Sequence, residues 1–288
     1  MTVPSLDAQG ALPLPHWAVL RASGPDAASF LHGQLTQSVT DLKEHEARLG
    51  GYCNVKGRMQ AGFILCREDA ETIDLLLPRE LLAPLQKKLS MFVLRAKCKL
   101  AEAPVALHGL VGDAVPEDLP VWGRRAGLIR LPDALGQRRA LALDAPAGAG
   151  ALVLEAWNWL ELHAGVPWVV AATSEHFVPQ MINWELLGGV NFKKGCFPGQ
   201  EVVARSQYRG TVKRRAQLLL GATAAPGSEL LQNGEGVGEV LMSAAWQGQA
   251  GLLAELQLAA WESDAPITLP DGTVLQRGAL PYAVKAPE

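Results

Sequence analysis

The sequence predicts an α+β protein with a C-terminal β-barrel. Strand-like and helix-like apolar runs alternate through the first hundred or so residues, and a long helical segment lies in the middle of the chain. From Thr211 onward, short apolar runs are separated by turn residues, which is typical of a small barrel or sandwich. With 288 residues, 49% of them hydrophobic, the chain is long enough to bury a large core and form two or three domains.

The first predicted domain, residues 1–104, contains a strand, a helix, a hairpin, a helix and a strand in that order. Residues 1–15 are punctuated by three prolines and a glycine, and we expect them to be frayed. "HWAVLRAS" predicts a strand, and "GPDAASFLHGQL" predicts a helix with Pro25 in its first turn. "GGYCNV" and "RMQAGFILC" predict a hairpin around Lys56-Gly57. "RELLAPLQKKLSMFV" then predicts a second helix and "RAKCKLAEA" a strand.

The second predicted domain, residues 105–210, contains the weak linker "DAPAGAGA" and the strongly helical "LVLEAWNWLELHAGV". It ends in "NFKKGCFPGQEVVAR", where Pro198-Gly199 predicts a turn directly before the helix "QEVVARSQY". The third predicted domain, residues 211–288, is the barrel. Its turn signals are "APGSEL", "NGEGVGEV" and "LPDGTV".

Composition excludes several classes of protein. A formal net charge of −3 gives no overall attraction to nucleic acid, and no apolar run is long enough to span a membrane. The N-terminal residues lack the pattern of a signal peptide, and four well-separated cysteines fit a reducing compartment, so we expect a soluble, cytoplasmic protein without membrane contact. The six histidines show no metal-ligand spacing, so no metal site is predicted, and no nucleotide-binding or serine-hydrolase motif occurs.

Cys196 lies two residues after Lys194 and just before the predicted helix that begins near Gly199. A nearby cation and a helix N-terminus both favour the thiolate, which is the nucleophilic and metal-binding form of cysteine. Cys196 is therefore a candidate reactive thiol. The alternative is an inert cysteine that fills a turn, because free cysteines are commonly buried. Glu201 and Arg205 have the i,i+4 spacing of an ion pair on the same helix.

Two further features suggest a ligand. Residues 193–215 contain seven Lys or Arg and one acid, a pattern that fits an anionic ligand such as phosphate, a polyglutamate tail or RNA, or else a solvated basic hairpin. RNA has little other support, because the patch lacks the interleaved aromatic residues that stack on bases, and Tyr208 alone is thin evidence. The chain also has eight tryptophans, and flat heteroaromatic ligands favour indole walls, although most tryptophans are core residues.

The run from Lys194 to Glu201, K-G-C-F-P-G-Q-E, with Arg205 beyond it, resembles the K-G-C-[FY]-x-G-Q-E-x-x-x-R signature of the YgfZ family. Similarity to this family covers most of the chain. It includes "GPDAASFLHGQLTQ", "NVKGR", "LELHAGVP", "FVPQMINWELLGGVNFKKG" and "LPY". Members of the family are folate-dependent factors for iron–sulfur proteins, related to the aminomethyltransferase, or T-protein, of glycine cleavage.

The resemblance implies a three-domain, T-protein-like ring with a ferredoxin-like part, a second α+β part and a C-terminal antiparallel β-barrel around a folate-sized cleft. It implies tetrahydrofolate or a derivative as the cofactor. By resemblance, Trp17 and Trp157 take positions associated with folate, whereas the other six tryptophans are expected in the core. Lys194 and Cys196 would lie near the same cleft as the catalytic candidates. By the same resemblance, the cofactor-binding set is Trp17, Trp157, Lys194, Gln200, Glu201 and Arg205.

One departure from the T-protein pattern bears on activity. T-protein relatives carry an aspartate just after the hairpin, whereas this chain has no carboxylate between Cys53 and Glu68. Without that base or charge partner, aminomethyl transfer to folate lacks its main group. The first hypothesis is therefore a folate-binding accessory protein with iron–sulfur enzymes as clients, including those that thiolate tRNA. The alternative is a folate-dependent aminomethyl transferase, and direct tRNA binding through 205–215 is a weaker third possibility.

Overall fold

The structure is a computed structural model that describes residues 8–144, 150–210 and 212–284. These residues form two five-stranded antiparallel sheets and a closed barrel of six antiparallel strands. In chain order the strands are β1 (Gly10–Pro13), β2 (Trp17–Ser23), β3 (Ala47–Cys53), β4 (Met59–Arg67), β5 (Thr72–Pro78), β6 (Lys99–Glu102), β7 (His108–Val111), β8 (Arg124–Arg125), β9 (Leu128–Ala134), β10 (Gln137–Ala142), β11 (Arg214–Leu220), β12 (Glu229–Gln232), β13 (Glu235–Trp246), β14 (Gln249–Gln257), β15 (Ile267–Thr268) and β16 (Val274–Arg277).

Helices fill the connections between these strands. The α-helices are α1 (Ala27–Gln34), α2 (Arg79–Ser90), α3 (Leu154–Ala164), α4 (Gln200–Tyr208) and α5 (Leu258–Glu262). Short 3₁₀ turns occur at Gly112–Ala114, Ala171–Thr173 and Pro179–Ile182. Within the described ranges, no helix is both long and apolar enough to cross a membrane.

The first sheet has the strand order β3-β4-β5-β2-β6, with α1 and α2 packed against it. The predicted hairpin is confirmed as β3 and β4, but β5 was not predicted. Helix α2 ends at Ser90, so the three following residues of the predicted helix are not helical. The final strand is also shorter than expected, because only Lys99–Glu102 of the predicted strand "RAKCKLAEA" pairs with β2.

The second sheet has the strand order β1-β7-β10-β9-β8, and its first strand comes from the N-terminus. Gly10–Pro13 pairs antiparallel with His108–Val111. The expectation that residues 1–15 are frayed is therefore wrong for this strand, while residues 1–7 lie outside the described part. Most of the predicted linker, residues 145–149, and the predicted boundary residue Thr211 also lie outside it. The division at 104/105 and 210/211 stays a prediction.

The barrel has the strand order β11-β14-β13-β12-β15-β16, as the turn signals in the sequence indicated. A separate apolar cluster fills its interior. The main core runs continuously from the first sheet through α3 to one wall of the barrel. Helix α3 contacts both β9 and β13, and its residues from Ala156 to Ala164 are buried apart from the half-buried Asn158. This helix therefore lies where the three parts of the fold meet.

Candidate functional site

A cavity of about 230 Å³ lies at this meeting point, and we call it the tryptophan cavity. The first sheet, α3, the loop after α3 and the barrel all contribute to its walls. Its lining consists of three indoles (Trp17, Trp157, Trp168), four polar residues (His16, Asn158, Glu161, Ser243) and five apolar residues (Pro78, Val170, Pro226, Leu241, Met242). The two tryptophans assigned to folate by resemblance thus share one cavity.

The indoles of this region meet edge to face. The ring centroids of Trp17 and Trp168 are 4.8 Å apart with an interplanar angle of 85°, and those of Trp168 and Trp184 are 5.7 Å apart at 74°. Trp17 is 6% exposed and Trp157 is 1% exposed. Both are therefore core residues as well as cavity walls, because they support the fold and also bound the cavity. Such edge-to-face pairs hold aromatic rings in fixed orientations.

Trp157 is fixed on two sides. Gly109 leaves room for its six-membered ring, since a Cβ at this glycine would lie 2.6 Å from Trp157 Cζ3. The guanidinium of Arg139 lies 5.0 Å from the centroid of the ring. The indole nitrogen Nε1 is on the opposite edge of the ring from the carbons that cover Gly109. It is buried and has no hydrogen-bond partner among the described residues.

Glu161 brings a carboxylate to the same wall. Its Oε1 accepts a hydrogen bond from Arg139 Nη2, and its Oε2 accepts one from Trp168 Nε1 at 2.9 Å. Trp157 and Glu161 are one helical turn apart on α3, so their side chains lie on the same face. Neither Glu161 nor Trp168 was among the site residues predicted from the sequence. The signal for Glu161 was an acidic residue at i+4 from Trp157 in a largely apolar helix.

The K-G-C-F-P-G-Q-E motif lies against the turn of the β3–β4 hairpin. Gly199 has φ +77° and is the N-cap of α4. A Cβ at Gly199 would lie 2.3 Å from the carbonyl oxygen of Asn54 and 2.7 Å from Gly57 Cα. Gly57 has φ +71°, and a Cβ there would lie 2.9 Å from Val202 Cβ. Both positions must therefore be glycine for the "NVKGR" turn and the motif to pack this closely.

Lys194 is half-buried next to the C-terminal end of α1. Its Nζ donates to the carbonyl oxygens of Leu35 at 3.0 Å and Gly195 at 3.2 Å, and it lies 5.0 Å from the ring centroid of Phe197. Burial lowers the pKa of Lys194 to about 8, and the neighbouring Cys196 partly opposes the shift. In the described part of the chain, no carboxylate forms an ion pair with Lys194. The amine is thus a cation without a carboxylate counter-ion there.

Cys196 is exposed, whereas Cys53 and Cys66 are buried. Burial raises the pKa of Cys53 to about 12 and also raises that of Cys66. Cys98 falls within the predicted strand "RAKCKLAEA", but it lies just before β6 and is half-buried. Cys196 is therefore the most accessible of the four thiols.

His32 adds a group near Lys194 that was not predicted from the sequence. Its Nδ1 accepts from the backbone N–H of Val39 at 3.3 Å and lies 3.2 Å from the hydroxyl of Thr40. Burial and the charge of Lys194 lower the pKa of His32, while Asp41 opposes this shift. His32 therefore stays neutral near pH 7, with its proton on Nε2.

The remaining motif residues lie on the outer face of α4. Gln200 is half-buried, and both Glu201 and Arg205 are exposed. In the described part of the chain, Glu201 and Arg205 do not form the predicted ion pair with each other. None of Gln200, Glu201, Arg205, Lys194 and Cys196 lines the tryptophan cavity. That all the candidate residues share one cleft therefore stays a prediction.

The basic run at 193–215 is less available to an anion than its composition suggests. Arg215 is 1% exposed and pairs with Glu185 at 2.5 Å, and Arg214 pairs with Glu255 at 2.8 Å. These two arginines stabilise the fold near β11. Tyr208 is 68% exposed and meets Phe192 edge to face at 5.7 Å.

The apolar character of β4 has a structural reason. Ala61 is 1% exposed and packs in the core, and a Cβ at Gly62 would lie 2.9 Å from Trp184 Cη2. Trp184 is fully buried, so it fills the space into which a side chain at Gly62 would extend. A carboxylate at this position would collide with the indole. Within the described ranges, no group of three or more His, Cys, Asp or Glu could hold a metal ion.

Comparison with known proteins identifies relatives along most of the chain. The sequence matches no protein-family model. It is 30% identical over 271 residues to the tRNA-modifying protein YgfZ of Klebsiella pneumoniae (strain 342), and 31% identical over 278 residues to that of Cronobacter sakazakii (strain ATCC BAA-894). Each alignment covers 85% of this chain and 80% of the relative.

Among solved structures, the chain resembles the glycine cleavage system aminomethyltransferase T of Bartonella henselae. The TM-score is 0.74 at 18% sequence identity, over 97% of this chain and 88% of the other. This likeness confirms the predicted T-protein-like α+β fold with its C-terminal antiparallel barrel. Together with the sequence matches, it shows that the chain belongs to the YgfZ family.

Proposed function

We propose that the protein is a folate-binding accessory factor that supports the assembly or repair of iron–sulfur enzymes, including those that thiolate tRNA. The observation that carries this proposal is the tryptophan cavity, a partly closed site walled by three indoles between the first sheet, α3 and the barrel. Such a cavity suits a flat heteroaromatic ring. The tRNA-modifying relatives support the connection with tRNA modification.

The residues present fit the head group of tetrahydrofolate or a derivative. The walls are mainly apolar, and a donor on the ring of Trp157, its Nε1, is buried without a partner among the described residues. A volume of about 230 Å³ holds a bicyclic ring but leaves the glutamate tail outside. When bound, tetrahydrofolate supplies a carrier for one-carbon units. In the proposed function, the exposed Cys196 is the reactive group and the ammonium of Lys194 stabilises its thiolate.

The alternative function is a folate-dependent aminomethyl transferase, which the likeness to the aminomethyltransferase T structure suggests. Apolar packing of β4 argues against it, because Trp184 occupies the space beside Gly62. Asp74 is a buried carboxylate on β5, but Arg21 Nε and Nη2 donate to its two oxygens at 2.7 Å each. It is therefore held as a structural ion pair rather than as a free base.

The first prediction is that tetrahydrofolate binds, quenches tryptophan fluorescence and raises the melting temperature by mass action. Trp17→Phe and Trp157→Phe should each weaken binding by about 0.5–1.5 kcal/mol, because each reduces the aromatic wall but keeps the core filled. Alanine variants are less informative, since removing a buried indole costs about 3–5 kcal/mol of stability. Trp261→Phe is the control, since Trp261 packs against the barrel cluster and is absent from the cavity lining. Unchanged affinity in both cavity variants would contradict the proposed site.

The second prediction is that purified protein shows no aminomethyltransferase turnover. The assay supplies an aminomethylated carrier protein and tetrahydrofolate, and it measures methylene-tetrahydrofolate and ammonia. We expect no product above background because β4 carries no carboxylate. A bacterial aminomethyltransferase T is the positive control. Folate-dependent product formation by this chain would support the transferase alternative instead.

A further inference from the structure

The chain between α2 and β6 exposes three large apolar side chains within four residues. Met91 is 62% exposed, Phe92 48% and Leu94 86%. Single exposed apolar residues are common on protein surfaces, whereas a contiguous group of them usually marks an interaction site. None of the three lines the tryptophan cavity, so the proposed folate site does not account for them.

The backbone that carries these side chains is held at both ends. Val93 and Cys98 are half-buried and pack against the main core. The N–H of Val93 donates to the carbonyl oxygen of Ser90 at 3.2 Å, at the end of α2. Further along, the N–H of Lys97 donates to Asp26 Oδ2 at 2.7 Å, and the N–H of Asp26 donates to the carbonyl oxygen of Lys97 at 3.3 Å. A surface held in this way loses little conformational entropy when a partner binds.

The same segment is strongly basic. No acidic residue occurs between Glu80 and Glu102, although the chain as a whole has a net charge of −3. Lys88 forms an ion pair with Glu175 at 2.9 Å. Four other cations are exposed and form no ion pair with the described residues, namely Lys87, Arg95, Lys97 and Lys99. We call the exposed side chains of residues 87–99 the α2–β6 surface. It combines an apolar centre with a local excess of positive charge.

This combination fits a protein partner better than RNA. The centres of protein–protein interfaces are enriched in Phe, Met and Arg, and charges around such a centre select partners of opposite charge. RNA-binding surfaces use several aromatic rings on which bases stack. Phe92 is the single aromatic residue between Glu80 and Glu102, and the most exposed apolar side chain of the surface is the aliphatic Leu94.

We propose that the α2–β6 surface docks an acidic protein partner. Met91, Phe92 and Leu94 pack against an apolar hollow of the partner, and the four unpaired cations face carboxylates at the edge of that hollow. The cations speed the encounter and favour acidic partners, whereas the apolar contacts slow dissociation. The docking does not depend on folate binding, because the surface shares no residue with the tryptophan cavity.

The first test is photo-crosslinking in the native cells. The probe, p-benzoylphenylalanine, replaces Leu94, and in the control it replaces Val274, an exposed apolar residue of the barrel strand β16. After illumination, adducts are purified and identified by mass spectrometry. We expect a protein adduct from position 94 and not from position 274, with Asp or Glu close to the crosslinked site of the partner. Absence of an adduct above the control, or adducts with RNA, lipid or a second copy of this chain alone, would overturn the proposal.

The second test measures the affinity of the purified, identified partner by calorimetry. We expect Leu94→Ser to weaken binding at least about tenfold, because it removes an apolar contact from the centre of the interface. Arg95→Glu should weaken binding about 5- to 20-fold and reduce its dependence on salt. Val274→Ser and Lys43→Glu are the matched exposed controls and should change neither.

Tetrahydrofolate affinity and the melting temperature are measured on the same variants. Both should stay unchanged, because the substituted side chains are exposed and lie outside the tryptophan cavity. Unchanged partner affinity in both Leu94→Ser and Arg95→Glu would overturn the docking surface while leaving the proposed folate function intact. Conversely, failure of the unmodified protein to bind tetrahydrofolate would count against the folate function and not against the docking surface.

Discussion

Gly199→Ala will destabilise the protein by about 3 kcal/mol, measured by denaturant unfolding. The left-handed backbone at φ +77° costs a residue with a Cβ about 1–2 kcal/mol. The new methyl group would also lie 2.3 Å from the carbonyl oxygen of Asn54, and relieving that overlap costs about 1–3 kcal/mol more. Asn54 belongs to the hairpin turn and Gly199 caps α4. The turn and the start of α4 must therefore move apart to make room for the methyl group.

Two glycines nearby in the chain provide matched controls. Gly188 has φ +80°, and a Cβ added there would have no other atom within 4 Å, so Gly188→Ala measures the backbone cost alone, about 1 kcal/mol. Gly195 also faces open space, so Gly195→Ala should change stability by less than about 0.5 kcal/mol. Equal losses for Gly199→Ala and Gly188→Ala would show that the contact with Asn54 does not constrain the fold.

The same contact shows what the sequence could and could not predict. A glycine after proline predicted the turn before α4, and Lys56-Gly57 predicted the hairpin, because both depend on local backbone preferences. That the two turns meet depends on the path of the chain between residues 57 and 199. No local sequence pattern encodes this long-range path.

The elements that were missed share a related cause. Strand β1 pairs with β7, almost a hundred residues later, and its proline-rich sequence resembles a loop when taken alone. Strand β5 was also missed, although it pairs with both β2 and β4 and completes the middle of the first sheet. Its run "TIDLLLP" contains Asp74, whose buried ion pair with Arg21 is visible only across the sheet. Local pattern misses residues whose role depends on pairing across the sheet.

For the same reason, only part of the candidate site was predicted from the sequence. Trp17 and Trp157 came from resemblance, whereas Trp168 and Glu161 join them only through the packing of α3 against the first sheet and the barrel. The basic run at 193–215 was overestimated because sequence composition does not reveal that Arg214 and Arg215 face carboxylates. Lys194 differs from both of them, since it is half-buried and lacks such a partner among the described residues.

Cys196 will be the most reactive thiol of the native protein, alkylating at least about tenfold faster than Cys98 and faster still than the buried Cys53 and Cys66. Mass spectrometry after timed iodoacetamide exposure measures each rate. Lys194→Ala should slow Cys196 about two- to fivefold at pH 7, because a partly exposed cation contributes about 0.4–1 kcal/mol to thiolate stability. The difference between the two proteins should disappear above pH 8, where Lys194, with a pKa of about 8, loses its charge. Lys193→Ala is the matched control, since Lys193 is exposed.

The functional consequence is expected in cells. Cys196→Ser should leave folding and tetrahydrofolate affinity unchanged, because the side chain is exposed and does not line the tryptophan cavity. Iron–sulfur enzyme activity and tRNA thiolation should nevertheless fall toward the level of cells that lack the protein, whereas Cys98→Ser should preserve both. Full activity in the Cys196→Ser strain would show that the thiol is only a turn residue. Uniform alkylation rates among the four cysteines would remove the physical basis for its proposed role, since exposure and the nearby ammonium would then have no effect on its chemistry.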